Sequence, residues 1–426
     1  MAPDLDLTER DRAMLDGTHG DAASLAMRIV TKSAEIAGAT HLLDITSAHI
    51  DGCLFHGMAG LDFARRLRDA EAQVAVPSTL NVSALDLLHP ELVRLDATTS
   101  AMAREQMDAY LAMGCRPTWT CAPYQSPERP SFGDQIAWAE SNAIVFANSV
   151  LGARTERYGD FIDVCCAITG RAPAVGLHLD EHRGARVVFR VEGVPDRLLA
   201  DPVAHAAIGL IVGREAGALV PAVVGLPTAP TTSEDHLKAM CAAAASSGSV
   251  ALIHVIGVTP EAPTLEAAIG EGSVASEVRV GPADLRAARD AWSTVGVGAA
   301  IGAVSVGTPH MSVAGFERLA SLADGRRFAV PFYVNTGRDV LRVAEGAGTA
   351  AVAMAAGATM VTDTCTYITP VIAHGVGPVV TDSAKWAWYA PSNLGVEVAI
   401  ASLEECIRSA VEGGLVRDDA LWGSDG

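Results

Sequence analysis

The chain has 426 residues, enough for two to four structural units at roughly 150 residues each, and it is 50% hydrophobic but only 5% aromatic, so its apolar content is chiefly small and aliphatic. With 31 basic against 50 acidic residues its formal charge is −19, a surface that repels phosphate backbones and anionic lipid and so argues against nucleic-acid and membrane partners. The acidic, amphipathic N-terminus lacks the basic and apolar regions of a signal peptide, which predicts a cytoplasmic protein, and eight cysteines without a C-x-x-C spacing exclude zinc ribbons and a disulfide framework.

Apolar or β-branched runs at 41–46, 72–79, 117–122, 221–226, 250–258, 302–307, 328–336 and 359–366 each lead into Gly, Pro, Ser, Thr or Asn. Ala-rich segments of helical period come after most of them, at 61–70, 134–150, 233–245, 282–292, 313–323 and 394–411. This βα alternation predicts parallel sheets. Residues 174–194 break it and read as a hairpin turning near Arg183-Gly184, an insertion or a domain edge. The uncharged stretch 291–316 contains Pro309, His310 and many glycines, and reads as a buried strand with flanking loops rather than a membrane span. A division at 1–130, 131–290 and 291–426 is expected.

Parallel sheets place ligands beyond the carboxyl ends of their strands, so the polar residues at those exits are the site candidates. Cys121 and Cys365 lie on two such loops, flanked by hydroxyl residues able to hydrogen-bond sulfur, as soft-metal or iron–sulfur ligands would be. Cys53 is a third ligand candidate and Cys115 an alternative to it, whereas Cys165, Cys166, Cys241 and Cys406 fall in helical or apolar runs and read as core. His49 and Asp51 could form an imidazole–carboxylate pair that positions a catalytic group. His310, at another strand end, could meet an anionic substrate or a metal-bound hydroxyl, and Lys385 joins these catalytic candidates. In the helical segment 138–160, Glu140, Ser141, Asn142, Asn148 and Ser149 interrupt an apolar surface. Ser141 and Asn148, like Asn142 and Ser149, are seven residues apart, so this polar set could line a cavity. Arg154 is a natural clamp for a substrate carboxylate, and Ser47 and Thr79 complete the substrate-binding candidates.

The phosphate-binding loop, the nucleophile elbow, the H-E-x-x-H pair and a convincing dinucleotide fingerprint are all missing. In their place stand SAHIDG (47–52), TCAPY (120–124), WAESNAIVFANSVLGARTERYGD (138–160), AITGRAP (167–173), SVGTPHMS (305–312) and DTCTYIT (363–369). Together, and in this order, they resemble the large catalytic subunit of aconitase X, over about residues 5 to 410.

The resemblance implies three-layer α/β/α domains equivalent to the first three aconitase domains, around an iron or iron–sulfur centre held by cysteines, here Cys53, Cys121 and Cys365. The fourth, swivelling domain has no counterpart before Gly426, which implies a separate small subunit carrying a serine as general base. The implied activity is dehydration, with cis-3-hydroxy-L-proline giving Δ1-pyrroline-2-carboxylate, or with mevalonate 5-phosphate. Lys32, Lys238 and Lys385 are the whole lysine complement and form no evident phosphate-binding cluster, which favours hydroxyproline. The reading of a different class is a metal-free binding or regulatory protein on an enzyme scaffold, with Cys121 and Cys365 as buried thiols.

Overall fold

Three parallel sheets covered by helices, in the three-layer α/β/α manner, arise from the alternation of short apolar strands with Ala-rich helices. The computed structural model describes residues 5–228 and 231–422. Its chain divides into two units, the first comprising Met1–Leu85 and Leu95–Arg183, the second Asp86–Arg94 and Gly184–Gly426.

In the first unit, Ser47–Ile50 is the central strand between Ser78–Leu80 and Ile136–Trp138, with His49 in register with both Thr79 and Trp138. Because Ile136–Trp138 completes this sheet, the unit runs through the division expected at 130. The extended run expected at 117–122 forms no strand. Trp119 adopts a positive φ of 43°, which interrupts extension, so the segment docks on Ser78–Leu80 through scattered bonds: the Arg116 and Thr120 amides donate to the Ser78 and Leu80 carbonyls at 2.8 and 3.1 Å, and the Thr118 hydroxyl donates to the Leu80 carbonyl at 2.8 Å and accepts from its amide at 3.0 Å. The helix expected over 134–150 starts only at Ser141. Ser141–Phe146 is α-helical, and Ala147–Leu151 forms a wider π turn closed by Gly152 in the left-handed conformation.

The second unit contains two parallel sheets. One has the order His254–Val255, Pro221–Val224, Val187–Val191, Ser276–Val280. Its strand Val187–Val191 is parallel to both neighbours, so the hairpin expected over 174–194 does not form. Two short turns, Gly176–His178 and Asp180–His182, lead instead to Arg183, whose buried guanidinium donates to the Leu177 and Asn148 carbonyls. The helices Pro202–Ala216 and Glu234–Ser247 approach so closely that a Cβ at Gly209 would lie 2.4 Å from the Met240 carbonyl oxygen, which only glycine allows.

The other sheet has the order Ala358–Val361, Phe332–Thr336, Ala303–Met311, Val379–Thr381, Val398–Ile400. The uncharged stretch 291–316 supplies its central strand, buried along its whole length. Val304, Val306, Phe332 and Val334 pack there with Phe316 and Leu319 of the helix Val313–Ala323, each such side chain stabilising the fold by about 1.5–3 kcal/mol. Among the described residues no helix is long and apolar enough to cross a membrane.

Candidate functional site

At the carboxyl end of Ser47–Ile50 the chain turns at Asp51-Gly52, where both backbone amides donate to Asp163 Oδ2, at 2.7 and 3.3 Å. This fixes the Asp51 side chain, which accepts a short hydrogen bond from Asn81 Nδ2. Burial pushes the Asp51 carboxyl up to about 7, and the nearby Glu140 and Asp160 charges reinforce the shift. A carboxyl that keeps its proton near neutral pH can act as an acid. The expected His49–Asp51 pair does not form. His49 Nδ1 bonds the Thr79 hydroxyl at 2.8 Å, and burial drives the ring down to about 3, so it is neutral. Ser47 opens the same strand at its amino end, away from the exit loops.

Cys53 is fully buried, and its thiol points at the Ile50 and Asn81 carbonyls, 3.4 Å from each. Burial first, and then the Asp51 and Asp163 charges, push it well above the ordinary thiol range. Its sulfur is thus engaged by backbone carbonyls of its own loop and of the Asn81 segment. Cys121 is held differently. Its carbonyl accepts from Asn142 Nδ2 at 3.0 Å, while Asn142 Oδ1 accepts from the Tyr124 hydroxyl at 2.7 Å. The second Asn142 N–H donates to Glu140, which also caps its helix by accepting from the Ala143 amide at 2.9 Å. Glu140, Asn142 and Tyr124 thus form one brace under the Cys121 loop.

The π turn changes the helical phase of the residues at its C-terminal side, so the polar set of this helix does not share one face. Asn148 donates to the Thr155 carbonyl at 2.9 Å and accepts from the Thr155 amide at 3.0 Å, closing the loop between them. Ser149 is buried beside it, and Ser141 reaches only Glu140, at 3.5 Å. The Arg154 guanidinium is committed to Asp180 at 2.7 Å and to the Gly152 carbonyl at 2.8 Å. Its fork is filled by protein groups rather than presented to a substrate.

In the second unit, Cys365 comes two residues after Asp363, which takes a left-handed φ of 62° and is clamped by Arg338 through bonds of 2.5 and 2.7 Å. Asn335 Oδ1 accepts from the Thr366 amide at 2.9 Å, and the Thr366 hydroxyl meets Ser305 at 2.7 Å and accepts from Trp386 Nε1 at 2.9 Å. Asp86 accepts from the Thr362 amide and hydroxyl, at 2.8 and 2.9 Å, and from the Leu88 and His89 amides. Asp86→Ala is therefore expected to cost about 3 kcal/mol by leaving these donors unmet, read as a lowered unfolding midpoint in urea.

The Cys365 sulfur and a ring nitrogen of His310 lie within 4.8 Å of one another, and both residues are buried. His310 Nε2 donates to the Thr364 carbonyl at 3.1 Å, which orients the ring. Burial, helped by the Lys238 and Lys385 charges, brings this ring down to about 4, so it is neutral as a ligand must be. A cysteine sulfur beside an oriented imidazole is a donor set that suits iron. The sequence placed His310 among the catalytic candidates, and the structure sets it beside Cys365.

The same strand borders a cavity of about 350 Å³ lined by Lys238, Arg318 and Lys385 together with Asp201, Asp235 and Asp382. Two of the three lysines thus line one cavity, with as many carboxylates as cations around it. Lys238 is paired with Asp235 at 2.7 Å and Arg318 with Asp201 at 2.6 Å.

This arrangement has relatives. Models of the aconitase X first, second and third domains match residues 4–181, 185–290 and 301–412. The chain is 44% identical, over 95% of its length and 69% of the other's, to the cis-3-hydroxy-L-proline dehydratase of Pseudomonas aeruginosa. It is 36% identical, over 95% of its length and 98% of the other's, to the phosphomevalonate dehydratase large subunit of Methanothermobacter thermautotrophicus. The crystal structure of Thermococcus kodakaraensis aconitase X in its holo form superimposes with a TM-score of 0.84 at 31% identity, covering 95% of this chain and all of that one. With the three domain models in sequence order and the fold shared along nearly the whole chain, the protein belongs to the aconitase X family.

Proposed function

We propose that the chain is the catalytic large subunit of a hydro-lyase that dehydrates cis-3-hydroxy-L-proline. The observation that carries this reading is the difference in similarity, 44% identity to the hydroxyproline enzyme against 36% to the phosphomevalonate enzyme over the same share of the chain. Cys365 and His310, braced by the loop after Ala358–Val361, would hold an iron or iron–sulfur centre. When bound, iron supplies Lewis acidity that makes the β-hydroxyl a better leaving group.

The residues of the chain divide the remaining work. The bond from Cα to hydrogen and the bond from Cβ to oxygen break, a Cα=Cβ double bond forms, and one water leaves. Asp51, whose buried carboxyl is pushed up to about 7, donates to the departing hydroxide. The α-proton passes to a base that we assign to a serine on a separate small subunit, a reading supported by the match to 98% of a protein named as a large subunit. The enamine product then tautomerises to Δ1-pyrroline-2-carboxylate.

Anaerobic co-expression with the neighbouring small open reading frame, together with assay of both candidate substrates and of iron, tests this reading. Dehydration of cis-3-hydroxy-L-proline that needs both chains is the expected result. Turnover of mevalonate 5-phosphate alone would overturn the substrate assignment.

A further inference from the structure

The loop after Ala358–Val361 turns on a residue that the turn does not favour. The Thr364 amide donates to the Thr362 carbonyl at 2.7 Å, closing a three-residue turn around Asp363, whose φ of 62° lies in the left-handed region. This form of turn is rare and strained for a residue with a side chain, whereas glycine adopts it freely. An aspartate here therefore contributes something other than conformational ease. Its carboxylate is fully buried, and its oxygens take both arms of the Arg338 fork, at 2.5 and 2.7 Å, and the Leu87 amide at 3.0 Å. A planar fork on a carboxylate fixes orientation as well as distance, as the point charge of a lysine would not. Arg338 in turn stands on the first residue of the helix Arg338–Gly346.

Both flanks of the turn are fastened as well. Ahead of it Thr362 is held by Asp86, and beyond it the Ile368 and Thr369 amides both donate to the Cys365 carbonyl at 3.0 Å. Asp363 is thus the point about which this loop would rotate. One turn then sets two groups. The Thr364 carbonyl receives His310 Nε2 at 3.1 Å, and the next residue carries the sulfur that lies within 4.8 Å of a His310 ring nitrogen. A rotation about Asp363 would shift the carbonyl that orients the ring together with the sulfur beside it.

We propose that Arg338 and Asp363 are positioning residues, which lock this strained turn so that Cys365 and His310 keep the spacing needed to hold iron. Each acts through the turn. The role rests on the assignment of iron to these two residues above.

The test is the rate at which bathophenanthroline disulfonate removes iron from the anaerobically loaded two-subunit complex, with the visible sulfur-to-iron absorption and circular dichroism recorded on the same sample. Losing a group that supports a ligand typically costs about 10–100-fold in metal affinity. Asp363→Gly adopts the turn without strain but releases Arg338, and it is expected to speed iron release at least about tenfold and to shift the absorption, with circular dichroism unchanged. Arg338→Gln should do the same, and Arg338→Lys, which keeps the charge, should recover part of the loss. Release from Asp363→Gly at the wild-type rate would refute the proposal, since the backbone angle alone would then suffice. If Asp363→Gly loses secondary structure, the two Arg338 variants decide, and equal release from glutamine and lysine would overturn the lock. A wild-type complex that takes up no iron would overturn the metal assignment and the lock with it. Iron held as tightly by the variants as by wild type would overturn the lock alone.

Discussion

Cys365→Ala is expected to strip the protein of iron and to lower kcat by at least a thousandfold while leaving secondary structure intact. The side chain is small and buried, and its loop is held by partners that do not involve the sulfur, namely Asn335 on the Thr366 amide, Trp386 on the Thr366 hydroxyl and Arg338 on Asp363. Loss of the thiol therefore removes a ligand without removing the support of the loop. Iron determination and circular dichroism on the same anaerobic preparation separate the two effects. Unchanged iron content would eliminate Cys365 as a ligand. Cys53→Ala serves as the contrasting variant, since its thiol is committed to backbone carbonyls, and it should keep its iron.

Asp51→Asn should lower kcat by about 10²–10⁴, the range typical of a lost general acid, and should also remove a limb of the pH profile. In the folded chain the carboxyl holds its proton up to about pH 7, against an ordinary value of 3.8. The acid form is lost as pH rises through 7, so the wild-type rate should fall there. Stability moves in the same direction. The native state binds this proton more tightly than the unfolded state, so the contribution is fully present below about pH 4 and is lost as pH rises through 7. Asparagine carries no charge at any of these values. The variant should therefore be less active than wild type throughout and relatively more stable at pH 8 than at pH 5. A pH profile identical to wild type would show that Asp51 is not the titrating acid.

The layered architecture was legible because βα alternation is written locally, in apolar runs that end in Gly, Pro or Ser and lead into helical periods. Other elements depended on a single backbone angle or a distant partner. The run 117–122 has the composition of a strand, yet the positive φ of Trp119 ends it. The seven-residue spacing of Asn142 and Ser149 assumes an unbroken α-helix, and the π turn at Ala147–Leu151 invalidates that phase. The site divides in the same way. Loops after strands, and the sulfur and carboxylate groups on them, could be found from residue types. The partners could not, because Asp51 meets Asn81 and Asp86 meets Thr362 only once the chain has folded.

The short segment Asp86–Arg94 lies in sequence within the first unit yet belongs to the second, fastened to it through Asp86 and Thr362, 276 residues apart. At a synthesis rate of roughly 5–20 residues per second, the ribosome takes about 14–55 s to deliver that partner. Until then the nascent chain carries a nine-residue tether with nothing to dock on, looping out between two stretches that already have a sheet to join. Chains released before residue 362 should be cut by protease within 86–94, while full-length chains resist there, making this segment a clock for the completion of the second unit.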